Sequence, residues 1–200
     1  MLVSGRGSNL EALLRAVEKG SVPGARVAVV ISNDPSAKAL GVASRYGVRA
    51  VALDSSGVPR EEYAGRLAEA LDDAGVAPGK GLVLLAGFMK VLPASFVSRY
   101  EGRIMNIHPA LLPAFPGLEA QRQALDHGVK VAGCTVHFVV PEVDAGPIIV
   151  QRAVPVKEGD DEHALAARIL RQEHRAYPLA VRLFAQGKLR VEGKRVRILR

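Results

Sequence analysis

Three residues able to stabilise charge or move a proton lie in two short motifs of this chain. The strand-like stretch RIMNIHPALLP (103–113) carries Asn106 and His108, and the loop PEVDAGP (141–147) carries Asp144. Successive side chains of a strand point to opposite faces, so Asn106 and His108 share a face. Buried without partners, both would be costly. An amide donor, a histidine and a carboxylate together suit direct group transfer through a charged tetrahedral intermediate.

Each of these residues also has a purely structural interpretation. Asn106 could be a turn residue, His108 a hydrogen-bonded core histidine, and an aspartate close before a glycine is common in turns. If Asp144 lies within a few ångströms of His108, its charge favours the imidazolium form. The motifs therefore predict a site only if the fold brings them together.

A glycine-containing loop, SGRGSNLE (4–11), supplies the second candidate site. Gly7 would let the backbone approach a ligand, Ser8 or Asn9 could cap the following helix, and Ser8 with Glu11 matches the capping-box spacing. Free N–H groups at such a helix start suit one phosphate. The third glycine of a dinucleotide fingerprint and the Gly-Lys-Ser/Thr of a P-loop are both missing, and a tight turn with an ordinary cap stays the alternative.

Covalent and zinc chemistry have little support in the sequence. No G-x-S-x-G motif occurs, and the single cysteine, Cys134, has no adjacent base. The five histidines show no H-x-x-x-H spacing and no cysteine pairs accompany them.

Strand-like and helix-like segments alternate along the chain. Strands are predicted at 1–3, 26–32, 48–53, 81–87, 103–109, 135–140 and 148–156, and helices at about 8–19, 36–46, 59–74, 93–100, 118–127 and 161–186. This alternation predicts a single-domain α/β fold with a doubly wound sheet, to which the second half adds antiparallel strands. Only three residues precede Ser4, which predicts a short first strand.

The composition is that of a globular protein, with 48% apolar and 24% charged residues in 200. One cysteine suggests a reducing compartment, and neither a membrane span nor a secretory signal is visible, so we expect a cytoplasmic protein. The net charge of +7 and the tail KLRVEGKRVRILR suggest nucleic-acid binding. With only 4% aromatic residues, a solvated edge hairpin is the better interpretation of that tail.

Six segments together carry a family resemblance: SGRGSNL (4–10), LLAGFMKVLP (84–93), NIHPALLPAFPG (106–117), GCTVHFV (133–139), VDAGPII (143–149) and QEHRAYP (172–178). In order and over nearly the whole chain, they resemble the phosphoribosylglycinamide formyltransferases, within the 10-formyltetrahydrofolate-dependent formyltransferase family. The resemblance implies a Rossmann-like mixed sheet, the formyltransferase fold, and a cis bond at Leu112–Pro113.

The same resemblance assigns roles to individual residues. Asn106, His108 and Asp144 correspond to the catalytic residues, and Glu173 to an acid that contacts the ribose of glycinamide ribonucleotide. The residues implied to hold its phosphate are Gly7, Ser8 and Asn9. Those implied to line the folate pocket are Arg60, Met89, Lys90, Val91, Leu92, Asn106 and Val140.

The implied substrates are glycinamide ribonucleotide and 10-formyltetrahydrofolate as co-substrate, with no metal, nucleic acid or membrane partner, in a monomer or homodimer. Residues of about 1–100 would form the ribonucleotide-binding half and about 101–200 the folate-binding and catalytic half. The alternatives are a formyltetrahydrofolate hydrolase, whose regulatory domain would have to precede residue 4, and a basic nucleic-acid-binding domain.

Overall fold

Nine strands and six helices alternate along the computed structural model, which describes residues 1–200. The strands are β1 (Leu2–Val3), β2 (Val29–Ser32), β3 (Arg49–Ala52), β4 (Val83–Ala86), β5 (Ile104–His108), β6 (Val131–Phe138), β7 (Ile148–Pro155), β8 (Leu189–Glu192) and β9 (Arg195–Ile198). The helices are α1 (Ser8–Glu18), α2 (Lys38–Arg45), α3 (Arg60–Asp72), α4 (Ala94–Arg99), α5 (Ala120–Asp126) and α6 (Glu162–Ala185).

All nine strands belong to one mixed sheet in the order β3-β2-β1-β4-β5-β6-β7-β9-β8. The strands from β3 to β5 in this order are parallel, whereas β6 runs antiparallel to both β5 and β7. The doubly wound sheet with an antiparallel addition is therefore confirmed. So is the short first strand, because β1 has two residues, both fully buried between β2 and β4.

The largest differences from the predicted strand boundaries are at the starts of two strands. The strand predicted at 26–32 begins only at Val29, and β6 begins at Val131, four residues before its predicted start at Thr135. The added residues pair with β7, from Val131 opposite Pro155 to Cys134 opposite Arg152, whereas the pairing with β5 begins only at Thr135. Pairing with β7 therefore extends β6 through the glycine-containing stretch that the sequence pattern left out of the strand.

The two faces of the sheet carry separate apolar cores. Met105 and Ile107 of β5 point into the larger core, which α1, α2 and α6 cover, and Ile104 points into a smaller core beneath α3 and α4. Asn106 and His108 share the face of Ile104 but lie nearer the carboxyl end of β5. The apolar core thus ends where the two polar side chains begin.

The basic tail forms the edge hairpin that its alternating pattern predicted. Strand β8 pairs antiparallel with β9, with Leu189 opposite Ile198 and Glu192 opposite Arg195. Strand β9 pairs with β7 where Arg195 lies opposite Ile148. Glu192 forms ion pairs with Arg190 and Arg197 at 3.3 and 2.6 Å. Among the helices, none combines the length and apolar character that crossing a membrane requires.

Candidate active site

A cleft of about 500 Å³ opens at the carboxyl ends of β4 and β5. Ligands of open α/β sheets bind at this edge, where the direction of winding changes. The cleft is lined by Asn106, His108 and Asp144 together with His137. A second cavity, of about 340 Å³, lies beside Met1 and is lined mainly by apolar side chains, so the groups able to do chemistry are in the first.

The three residues from the two motifs meet in this cleft. The Oδ2 atom of Asp144 is 3.3 Å from Nδ1 of His108, and its Oδ1 atom is 3.5 Å from Nδ2 of Asn106. The backbone N–H of Gly117 donates to Oδ2 of Asp144 at 2.8 Å. Asp144 itself has a positive φ of 53° in the loop after β6. The fold therefore brings the amide and the imidazole of β5 together with a carboxylate that lies 38 residues after Asn106 in the sequence.

The surroundings of Asp144 favour its charged form. Burial alone would raise the pKa of this carboxyl, but the contact with His137, the N–H of Gly117 and the neighbouring His108 together lower it below its usual value. A carboxylate is therefore present beside His108 over the whole neutral range.

Both ring nitrogens of His108 face oxygen atoms. Its Nε2 atom donates to the carbonyl oxygen of Phe115 at 2.8 Å, while Nδ1 faces the Asp144 carboxylate. A carbonyl and a carboxylate can only accept, so only the imidazolium form donates to both. His108 is 4% exposed, so both contacts are made inside the protein.

The turn after β5 is held by side chains of β6 and β7. Thr135 Oγ accepts from the N–H of Leu112 at 3.0 Å and donates to the carbonyl of Ala110 at 2.7 Å, and Gln151 donates to the Leu112 carbonyl at 2.9 Å. The bond between Leu112 and Pro113 is cis, as the family resemblance implied. These contacts set the path of the chain from His108 to Phe115.

His137 is a site residue that the sequence interpretation missed. It lies directly opposite Asn106 in the β5–β6 ladder and is 2% exposed. Its Nε2 atom is 3.3 Å from Nδ2 of Asn106 and 3.5 Å from Oδ1 of Asp144. The alternation of Thr135, Val136 and His137, polar residues two apart in an apolar strand, is the pattern that could have revealed it.

We expect Gly146→Ala to disrupt the position of Asp144, because a Cβ atom at this glycine would lie 1.8 Å from the carbonyl oxygen of Phe138. The loop would have to move away from β6, at a cost of about 1–3 kcal/mol in the free energy of unfolding. Catalytic turnover at this site should fall together with the melting temperature. Gly65→Ala is the matched control, since nothing lies within 4 Å of a Cβ there and helix α3 should be stabilised. A loop variant with unchanged turnover would contradict this role.

The loop before α1 has the predicted helix start but not the predicted caps. Helix α1 begins at Ser8 with Gly7 as its N-cap in the left-handed region, and no side chain caps it. Glu11 pairs instead with Arg15 at 2.8 Å, so the capping box expected from Ser8 and Glu11 is wrong. The first N–H groups of a helix have no intrahelical partner, and Gly7 has no side chain that could accept from them, so they can bind an anion.

Glu173 reaches this loop from α6. Its carboxylate accepts from Nδ2 of Asn9 at 2.7 Å, and it is 7% exposed. Burial raises the pKa of Glu173, and the Asn9 hydrogen bond opposes that rise only in part. The Oδ1 atom of Asn9 is buried without a hydrogen-bond partner. Asn9 and Glu173, 164 residues apart, thus form one polar cluster beside the helix start.

A single hydroxyl connects this loop to the cleft. Ser4 Oγ donates to Oδ1 of Asn33 and accepts from the N–H of Met89 at 2.8 Å. Met89 belongs to the segment that lines one wall of the cleft. The helix start and the cleft are therefore neighbouring parts of one region.

Most of the residues expected at the folate pocket line the cleft. These are Met89, Lys90, Val91, Leu92, Asn106 and Val140. Met89 and Val91 are 65% and 54% exposed, an unusual state for apolar side chains that a ligand would cover. Arg60 is exposed at the first residue of α3 and is not part of the lining, so its contact with folate stays a prediction.

Comparison with known proteins agrees with this geometry. The formyl transferase family model matches residues 1–181. The chain is 44% identical over 192 residues to the phosphoribosylglycinamide formyltransferase of Escherichia coli K12, covering 96% of this chain and 88% of that protein. A crystal structure of glycinamide ribonucleotide transformylase 1 from Symbiobacterium toebii superposes with a TM-score of 0.95 at 55% identity, covering 100% of this chain and 92% of that one.

A third relative is much longer than this chain. The trifunctional purine biosynthetic protein adenosine-3 of Gallus gallus is 43% identical over 192 residues, which are 96% of this chain but 19% of that protein. The family model matches most of the chain, and the Escherichia coli relative aligns with 96% of it at 44% identity. The chain therefore belongs to the formyl transferase family and, within it, to the phosphoribosylglycinamide formyltransferases, the folate-dependent formyltransferases of purine biosynthesis.

Proposed function

We propose that this enzyme moves the formyl group of 10-formyltetrahydrofolate to the primary amine of glycinamide ribonucleotide by direct attack. The nitrogen bonds to the formyl carbon, a tetrahedral intermediate forms, and the bond from that carbon to N10 of the folate breaks. One proton passes from the attacking nitrogen to N10, so atoms and charge balance. The observation that carries the proposal is the convergence of Asn106 and His108 on Asp144, whose carboxylate oxygens lie 3.5 Å and 3.3 Å from them in the cleft.

Asn106 and His108 are proposed to receive the negative charge that develops on the formyl oxygen. Asn106 lines the cleft, and the Nε2–H of His108 is bonded to the neutral carbonyl of Phe115. The developing alkoxide competes well for that N–H, because charge-assisted hydrogen bonds are roughly twice as strong as neutral ones. Donors that favour the intermediate over the substrate lower the barrier.

Asp144 is proposed to have two roles, stabilising the charged form of His108 and transferring a proton. Its charge, maintained by a lowered pKa, stabilises the imidazolium of His108. It can also accept the proton of the attacking amine, directly or through water, and return it to N10. The reaction we propose needs no metal.

The two substrates are proposed to bind end to end. The first N–H groups of α1, with Gly7, Ser8 and Asn9, would hold the phosphate of the ribonucleotide, and Glu173 its ribose. The cleft would hold the folate, with Met89–Leu92 on one wall. Proximity of amine and formyl carbon supplies the rest of the rate. The division into halves at about residue 100, the cytoplasmic location and a monomeric or dimeric state stay predictions.

Ser8→Asp is expected to raise KM for glycinamide ribonucleotide about 10- to 100-fold with little change in KM for the folate. The added carboxylate would repel the phosphate at the helix start and remove a charge-assisted hydrogen bond. Steady-state kinetics with each substrate varied in turn measure both constants. Ser21→Asp, past the other end of α1 and about 16 Å along its axis, is the control with the same charge. Equal increases in the two KM values would count against the phosphate site.

The experiment that tests the function follows a labelled formyl group. With 10-formyltetrahydrofolate carrying a radiolabelled formyl carbon, we expect label in the ribonucleotide product, and loss of the formyl group only when glycinamide ribonucleotide is present. Release of labelled formate at the same rate without the amine would identify a hydrolase instead and overturn the proposal. Salt-sensitive DNA or RNA retention without turnover would favour the nucleic-acid alternative.

A further inference from the structure

His137 is held in one orientation by the backbone of its own strand. Its Nδ1 atom lies 2.8 Å from the carbonyl oxygen of Phe138. A carbonyl can only accept a hydrogen bond, so Nδ1 carries a proton and donates it. In the neutral ring this leaves Nε2 as a lone-pair acceptor.

That acceptor faces the amide of Asn106. The Nε2 atom is 3.3 Å from Nδ2 of Asn106, across a directly opposed pair in the β5–β6 ladder. A carboxamide can rotate by half a turn, exchanging its donor and acceptor ends with little change in shape. With a lone pair on Nε2, the orientation that presents nitrogen to His137 forms a hydrogen bond, and the opposite one places two acceptors together.

Asp144 favours the same orientation of the amide. Its Oδ1 atom lies 3.5 Å from Nδ2 of Asn106 and 3.5 Å from Nε2 of His137. A carboxylate repels the amide oxygen and attracts the amide N–H₂. Of the two contacts that Nε2 makes, the one with Asn106 is the shorter. The arrangement is consistent when His137 accepts and Asn106 donates.

We propose that His137 is a positioning residue that fixes the carboxamide of Asn106 with its N–H₂ group toward the reacting carbonyl. One N–H hydrogen is shared with His137 and Asp144, and the second is left for the formyl oxygen. The carbonyl of Phe138 determines the tautomer of His137, and His137 determines the orientation of the Asn106 amide. The amide in turn stabilises the intermediate. This inference rests on the proposed function, because it acts only through the role of Asn106 there.

His137→Leu is expected to lower kcat about 10- to 100-fold with KM for both substrates little changed, since a misplaced catalytic group costs rate rather than binding. His137→Gln should recover most of the loss, because its side-chain oxygen can accept from Asn106. Val136→Ala is the matched control on the opposite face of β6, where the side chain lies in the apolar core. It should lower the melting temperature without lowering kcat.

A double-mutant cycle separates positioning from a structural role. In the Asn106→Ala background, His137→Leu should cause no further loss of kcat, because the group it positions is absent. The inference is overturned if His137→Leu lowers kcat by the same factor in both backgrounds, or if His137→Leu alone keeps full activity. The proposed function still stands in either case, provided that Asn106→Ala is strongly impaired. Near-normal turnover of Asn106→Ala alone overturns the proposed mechanism, and the inference with it. If His137→Leu does not fold, His137→Gln provides the test. A kcat of His137→Gln at the wild-type level supports the inference, and a decrease in its kcat as large as that of Asn106→Ala overturns it.

Discussion

Replacing Asn106 with alanine is expected to lower kcat for formyl transfer about 10²- to 10³-fold, the usual cost of removing one donor from a developing oxyanion. The amide is half-buried at the carboxyl end of β5, and its Nδ2 atom lies within 3.5 Å of both His137 and Asp144. Its contribution comes from a hydrogen bond that strengthens as charge develops, so binding of the substrates should change little. Single-turnover measurements at saturating concentrations of both substrates isolate this step.

A second variant at the same position distinguishes charge stabilisation from packing. Asn106→Asp keeps the shape of the side chain but brings a negative charge beside the Asp144 carboxylate and the developing alkoxide. It should be slower than the alanine variant, although it leaves no cavity. A faster aspartate variant, or an alanine variant within about threefold of wild type at unchanged melting temperature, would show that the amide does not stabilise the intermediate.

Replacing Asp144 with asparagine is expected to lower kcat about 10²- to 10⁴-fold, the range for a positioned acid–base group. The substitution keeps the size of the side chain and an acceptor for the N–H of Gly117, but removes the charge that lies 3.3 Å from His108. Loss of that charge weakens the imidazolium and removes the proton acceptor at once. The pH profile of kcat in wild type and variant is the measurement.

The matched control for this change is Asp160→Asn. Asp160 is also a largely buried carboxylate, paired with Arg168 at 2.5 Å, but it does not line the cleft. Its pKa is lowered to about 2, mainly by the hydrogen bond from Arg168, and its loss should reduce stability without affecting kcat. Equal effects of the two substitutions on kcat would contradict a chemical role for Asp144.

The lowered pKa of Asp144 also predicts a pH dependence of stability. A carboxyl whose folded pKa lies below its unfolded value of roughly 3.9 stabilises the protein fully above that value, and the contribution is lost as pH falls through the folded pKa. The difference in free energy of unfolding between wild type and Asp144→Asn should therefore shrink as the pH is lowered. Thermal melts at neutral and acidic pH measure it.

That Asn106 and His108 lie together at a candidate site could be predicted from the sequence, because their positions follow from simple geometry. Asn106 and His108 share a strand face by alternation, and the strand ends at the sheet edge where ligands of α/β folds bind. Asp144 could be connected to them only through the family motif, since nothing local places a loop residue 38 positions later against a strand.

Features that depend on tertiary contacts were not predictable in the same way. His137 faces Asn106 because of the register between β5 and β6, which a single strand pattern does not specify. The prediction of a capping box was wrong because Gly7 is the N-cap residue and Glu11 forms an ion pair with Arg15 one turn later. The early start of β6 comes from its pairing with β7, which a pattern within one strand does not specify.

The most direct test is a structure of the complex with 10-formyltetrahydrofolate and a ribonucleotide whose amine is replaced by a non-nucleophilic group. We predict the formyl oxygen about 2.7–3.1 Å from both Nδ2 of Asn106 and Nε2 of His108, with the Phe115 carbonyl displaced from the histidine. A formyl group bound in the cleft with its oxygen directed away from both residues would contradict the account.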